Sequence, residues 1–180
     1  GVTVDEDLDA AAFDLTATVL ARAGLRRYEV SNHAVPGEES RHNLVYWRGG
    51  HYLGAGPSAS SHLPGGDGFG VRLKNPPLKG WLRGDPPEAD VLTADDVVLE
   101  RLMTGLRTVE GVDLAGLEAS TGYAVEYGAA RWLDDCLAHG LLTLTLEGRR
   151  LTATPAGLAR LDAVLRAFVA TRAPAATAAA

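Results

Sequence analysis

Cysteine is almost missing from this chain: Cys136 stands alone among 180 residues. A single thiol cannot form an internal disulfide, and a cytosolic address is the expectation that follows. Lysine is nearly as scarce, with Lys74 and Lys79 alone, so arginine carries most of the positive charge. The surplus is negative, a formal net charge of −6 with a pI near 5.3, which argues against a nucleic-acid partner. No apolar run approaches the ~20 residues that a membrane span needs. The first residues carry Asp5, Glu6, Asp7 and Asp9 where a signal peptide would need a basic segment, so none is expected.

What remains is ordinary for a globular protein, 46% apolar and 22% charged. The length allows one sizeable core, or a small domain with part of another. Asp5 to Ala23 is predicted to be a helix, with Leu8, Ala11, Ala12, Leu15, Val19 and Leu20 at three- and four-residue spacing and Gly24 as its stop. A short strand over 25–31 follows, which makes the αβ half of a βα repeat. Such a unit cannot bury both faces of its strand by itself, so neighbouring strands are expected from elsewhere. Residues 33–50 read as a long connection and 51–56 as a second strand-like run. Residues 60–63 and 69–73 flank PGGDG as a hairpin, 76–84 form a short helix around Trp81, and DPPEAD at 85–90 is a linker.

A second domain is expected over 93–172. Thr93 and Asp96 make a capping box ahead of a helix with Val97, Val98, Leu102 and Leu106. Asp113 caps a second helix, and 125–138 is a third, ended by Gly140. Residues 141–146 and 150–153 pair across Glu147-Gly148-Arg149, and Pro155 opens the last helix. Three helices, a β-wing and a helix are a winged-helix layout. Its third helix carries Glu126, Arg131, Asp134 and Asp135, which repel phosphate, so a structural cap is preferred over a DNA-binding regulator. The Ala-rich residues 173–180 are expected to be disordered.

The chemistry concentrates between residues 28 and 62, which hold four of the five histidines: His33, His42, His51 and His62. In His42-Asn43-Leu44-Val45-Tyr46-Trp47 an imidazole that can ligate a metal or haem iron sits beside an amide that can hydrogen-bond a carboxylate and beside two flat apolar rings. On an extended backbone His42 and Tyr46 would share one wall. The alternative is a loop pinned by buried aromatics, with His42 bonding a carbonyl, and the motif alone favours that one. Gly54-Ala55-Gly56 could bring backbone N–H groups to a carboxylate or phosphate, or could be a tight turn. Ser31 and Asn32 could project from the end of a strand, where barrel active sites lie. Cys136, among Trp132, Leu133 and Leu137, reads as a packed thiol.

Together YEVSNHA (28–34), ESRHNLVYW (39–47), YLGAGP (52–57) and LERLMTGLRTVEGVDL (99–114) resemble the C-terminal half of the oxygen-independent coproporphyrinogen III oxidase family of radical SAM proteins. The match is closer to its haem-chaperone branch, HemW, and runs from about Val4 to Phe168. The resemblance implies an α/β + α fold: the end of a partial (β/α) barrel over residues 1–85, followed by the small winged-helix-like domain. It implies a 4Fe-4S cluster and S-adenosylmethionine in the family. It implies haem or a porphyrin and haem-accepting proteins as partners, with an N-terminal barrel half expected beyond Gly1. His42, Asn43, Tyr46 and Trp47 become candidate haem contacts. Asn32, Gly54, Gly56 and Ser60 become candidates for the neighbourhood of S-adenosylmethionine or substrate.

Two features depart from the family. No CxxxCxxC is present, so this chain alone supplies no cluster ligands and is expected to be inactive by itself. Where the family continues YLGxGP as GAHS, this chain has Ser58-Ala59-Ser60-Ser61-His62, which places Ser60 at the usual histidine position. The expected function is haem binding and delivery. The alternative is decarboxylation of coproporphyrinogen III in porphyrin biosynthesis.

Overall fold

The computed structural model describes residues 6–65, 68–145, 147 and 149–172. Outside these lie Asp5 at the expected helix start, Gly66 and Asp67 of the hairpin turn, Leu146 and Gly148 of the wing, and the tail from residue 173 onward.

In chain order the elements are α1 (Glu6–Arg22), β1 (Arg26–Glu29), β2 (Asn32–Ala34), α2 (Arg41–Trp47), β3 (Ser60–Leu63), β4 (Val71–Lys74), α3 (Leu78–Arg83) and β5 (Glu88–Val91). There follow α4 (Ala94–Gly105), β6 (Val112–Asp113), α5 (Leu114–Thr121), α6 (Val125–Gly128), α7 (Ala130–Ala138), β7 (Leu142–Thr145), β8 (Arg150–Ala153), α8 (Pro155–Ala159) and α9 (Leu161–Arg172). Three antiparallel sheets result, in the orders β1-β2, β3-β4-β5 and β6-β8-β7. The architecture is mixed α/β without a closed barrel among the described residues.

The second half is built as its capping signals require. The Thr93 hydroxyl accepts from the Asp96 N–H while the Asp96 carboxylate accepts from the Thr93 N–H at 2.8 Å, a complete capping box on α4. Asp113 caps α5 and Thr154 caps α8. Val98, Leu102, Leu106, Leu114, Leu117, Trp132, Leu133, Leu142, Leu151, Val164 and Phe168 close one continuous core over this half. Trp132 anchors α7 to α9: its ring meets Phe168 edge to face at 5.0 Å, and its Nε1–H donates to the Val164 carbonyl at 2.9 Å.

Several elements differ from their expectation. The helix foreseen over 125–138 breaks at Ala129, whose φ of −134° leaves the helical region, directly after the weak helix former Gly128. The last helix breaks at Arg160. Residues 85–90 are only half linker: Glu88–Val91 adds an exposed edge strand to β4, after Pro86 and Pro87 have kept the preceding residues out of the ladder. Residues 51–56 form no strand. Tyr52 alone bridges to His62, and Gly56, with φ +99, then turns the chain. β1 is paired antiparallel to β2 and not to a parallel barrel neighbour.

Candidate functional site

The largest difference concerns the histidine-rich motif. Residues 41–47, expected as extended loop, form α2. Ser40 caps it by accepting from the Asn43 N–H at 3.3 Å, and Gly49, with φ +64, ends it. His, Asn, Val, Tyr and Trp are weak helix formers, so composition hides the element, and the cap with the terminal glycines is what reveals it. The expected sharing of a face by His42 and Tyr46 therefore stands for a helical reason: they are four residues apart. Their rings meet edge to face at 4.9 Å.

From this pair an aromatic ladder continues across the molecule. Tyr46 meets Tyr52 at 4.4 Å, Tyr52 meets His62 at 6.3 Å, and His62 meets His51 at 4.9 Å. Tyr46, Tyr52 and His62 line a cleft of about 240 Å³ with Gly50, Met103 and Thr104. The ion pair between Arg72 and Glu100 closes its far side. His62 is committed within this wall: Nδ1 lies 3.2 Å from the Gly50 carbonyl, and Nε2 is buried against Gly70. His33 is likewise enclosed, and burial, followed by the charge of Arg27, pushes its pKa down. His42 and His51, by contrast, are exposed, one at each end of the ladder. Of the two, His42 is the one that belongs to the HNxxYW motif.

Trp47 faces elsewhere. Five residues beyond His42 on a helix it is turned about 140° from it. It lies under the guanidinium of Arg107, 5.0 Å from the ring centroid. Arg107 donates through Nε and Nη2 to Glu29 Oε1 at 3.0 and 2.7 Å. Glu29 is 1% exposed, and its other oxygen accepts from the Ser31 N–H and from Asn32 Nδ2 at 3.1 and 2.7 Å. All of this carboxylate's charge is thus met by hydrogen bonds, as burial demands. The backbone repeats the join, with Val30 N–H donating to the Arg107 carbonyl and Val109 N–H to that of Tyr28. Glu29 and Arg107 thus tie YEVSN, the motif helix and the C-terminal half together, and sequence reasoning missed both.

The four motif residues are not gathered into one wall. Tyr46 lines the aromatic cleft, His42 meets its ring from outside that lining, Trp47 lines a second cleft, and Asn43 is half-buried. The other candidates have structural occupations. Asn32 serves Glu29. The Gly54 N–H donates to Ser61 Oγ at 3.0 Å, and a side chain at Gly54 would collide with the Ser60 carbonyl. The Gly56 carbonyl accepts from Asn75 Nδ2 at 2.8 Å. Ser60 is exposed on β3.

The residues present do not fit a 4Fe-4S cluster. Cys136 is buried in the core, burial and then Asp135 push its thiol pKa up, and no cluster of potential metal ligands exists among the described residues. In the winged-helix-like domain Arg149, at the wing, is held by Glu118 at 2.6 Å and Glu126 at 2.7 Å. Among the described residues no helix is long and apolar enough to cross a membrane.

Comparison with known proteins agrees with this architecture. The family described as the HemN C-terminal domain matches residues 92–160. The haem chaperone HemW of Lactococcus lactis is 37% identical over 112 residues, covering 59% of this chain and 28% of that protein. HemW of Mycobacterium tuberculosis is 34% identical over 167 residues, covering 92% of this chain and 40% of that protein. Among solved structures, coproporphyrinogen III oxidase (HemN) from Escherichia coli, a radical SAM enzyme, superposes with a TM-score of 0.61 at 19% identity, over 86% of this chain and 39% of that one. The chain therefore spans well under half the length of the relatives it matches. An open α/β part carrying a winged-helix-like cap is the C-terminal architecture of a radical SAM protein. By its sequence the chain belongs to the oxygen-independent coproporphyrinogen III oxidase-like family, in the branch of the haem chaperone HemW.

Proposed function

We propose that this chain is the haem-handling C-terminal part of a HemW-type chaperone, and that His42 binds the iron of the haem it carries. The observation that carries this reading is the exposed imidazole of His42 at the head of the ladder formed with Tyr46 and Tyr52. A neutral imidazole offers one nitrogen lone pair to iron, and flat aromatic rings beside it favour a planar, apolar macrocycle. His42 lies on a short helix with few contacts of its own, so cargo can reach it and leave it again. That suits delivery better than permanent retention.

Relatives named haem chaperones support this over the oxidase alternative, which draws on the HemN C-terminal domain match and a likeness of fold. S-adenosylmethionine and the iron–sulfur cluster belong to the family's radical chemistry, and no step here passes through them. Haem titrated into the protein and into His42→Ala tests the assignment. Loss of the ligated Soret position in the variant is expected. An unchanged Soret band and affinity would remove His42 as the ligand.

A further inference from the structure

The second cleft beside α2, about 270 Å³, is lined by Trp47, Arg48, Arg101, Glu110, Asp113 and Arg150 as well as by backbone of 105–111. Its three cations are not equivalent. Arg48 is spent on Glu110, donating to both carboxylate oxygens at 3.0 and 2.5 Å. Arg150 gives Nη1 to the Glu110 carbonyl at 3.3 Å and keeps its remaining donors. Arg101 is half-buried and makes no hydrogen bond or ion pair among the described residues, with Asp113 only a more distant counter-charge. Asp113 is itself occupied in capping α5.

A desolvated guanidinium with five unused donors is costly unless something supplies an acceptor. Burial accordingly pushes the Arg101 pKa down. The side chain packs against the turn that ends α2: a Cβ at Gly49 would fall on the Arg101 guanidinium. The indole of Trp47 forms the adjoining apolar wall. A cation pair beside a flat apolar surface matches a carboxylate carried on a flat apolar body.

We infer that this cleft is a carboxylate-binding site in which Arg101, assisted by Arg150, receives a side-chain carboxylate of the tetrapyrrole. The identity of the body rests on the proposed haem function. The carboxylate site itself rests on the arginines, and a porphyrin without iron separates the two, because it gives His42 nothing to ligate. Quenching of tryptophan fluorescence by a metal-free porphyrin dicarboxylic acid, and by its dimethyl ester, reads the site directly.

The acid is expected to bind about tenfold more tightly than the ester, the value of one charge-assisted hydrogen bond. Arg101→Met should lower acid binding to the ester's level, and Arg101→Lys should retain most of the preference. Melting temperature supplies the control. Loss of an unpaired, desolvated cation should leave Arg101→Met as stable as the parent or more so, whereas a merely structural arginine would lower it. Equal binding of acid and ester to the parent chain, no binding of either, or a preference surviving in Arg101→Met would overturn the site. None of these outcomes touches the Soret test of His42.

Discussion

At the scale of single residues, the side chain that does most to assemble the molecule is Glu29. A carboxylate in a four-residue strand beside Tyr28 reads in sequence as a solvent-facing charge, and its partner is 78 residues away. Yet it is fully enclosed and accepts from two arginine nitrogens, a backbone N–H and an amide. Glu29→Ala should destabilise the chain by roughly 3 kcal/mol, since it strands the buried side of Arg107 and leaves Asn32 and Ser31 without their acceptor. Glu110→Ala, which breaks an ion pair whose members are about half exposed, should cost under about 1 kcal/mol. Urea denaturation of the two variants compares them, and equal losses would mean that the Glu29 network is not the strut described here. The Glu29 variant should also release Trp47 through Arg107, seen as a shift in tryptophan emission.

At the scale of elements, α4 is held at its start by the Thr93–Asp96 box, and that box is pH-sensitive. Hydrogen bonds from the Thr93 hydroxyl first, and then from its backbone, hold the Asp96 carboxyl below the ordinary aspartate value. A carboxylate whose folded pKa is depressed adds stability that is fully present above its unfolded pKa and disappears as pH falls through the folded one. Thr93→Ala should therefore cost about 1 kcal/mol near neutrality, and the difference from the parent should shrink as pH drops below about 4. Denaturation midpoints measured across that range check it; a gap independent of pH would contradict the assignment. This box, the Asp113 cap and the wing were legible in the sequence because each is a local signal with a fixed offset. α2 was not, because its residues are poor helix formers and only Ser40 and Gly49 mark its ends. β5 was not, because Glu88-Ala89-Asp90-Val91 has no buried face and exists only by pairing with β4. Of the site, HNxxYW was legible as a unit. The division of His42 from Trp47 onto two sides of a helix was not, nor were the long-range partners Arg101 and Arg107.

At the scale of the whole molecule, stability is unevenly distributed. The continuous core is drawn from residues 98–168, whereas α1 leaves Leu8, Leu15 and Val19 more than half exposed. Limited proteolysis should cut first in α1 and leave a resistant piece that contains 98–168, since opening free energy follows buried apolar contact. Equal resistance of α1 would contradict this distribution. The strut from Glu29 to Arg107 places the motif helix on that stable half, so the haem exchange proposed for its exposed face need not loosen the core. That division of labour is the central claim, and a parallel comparison of histidines tests it most directly. Haem spectra are recorded for the parent and for His42→Ala, His51→Ala and His62→Ala, with thermal melts of each. His42→Ala alone should lose the ligated Soret position while keeping its melting temperature, and His62→Ala should lose stability while keeping the spectrum. A ligated spectrum that survives in His42→Ala and vanishes in either of the other two would contradict the account.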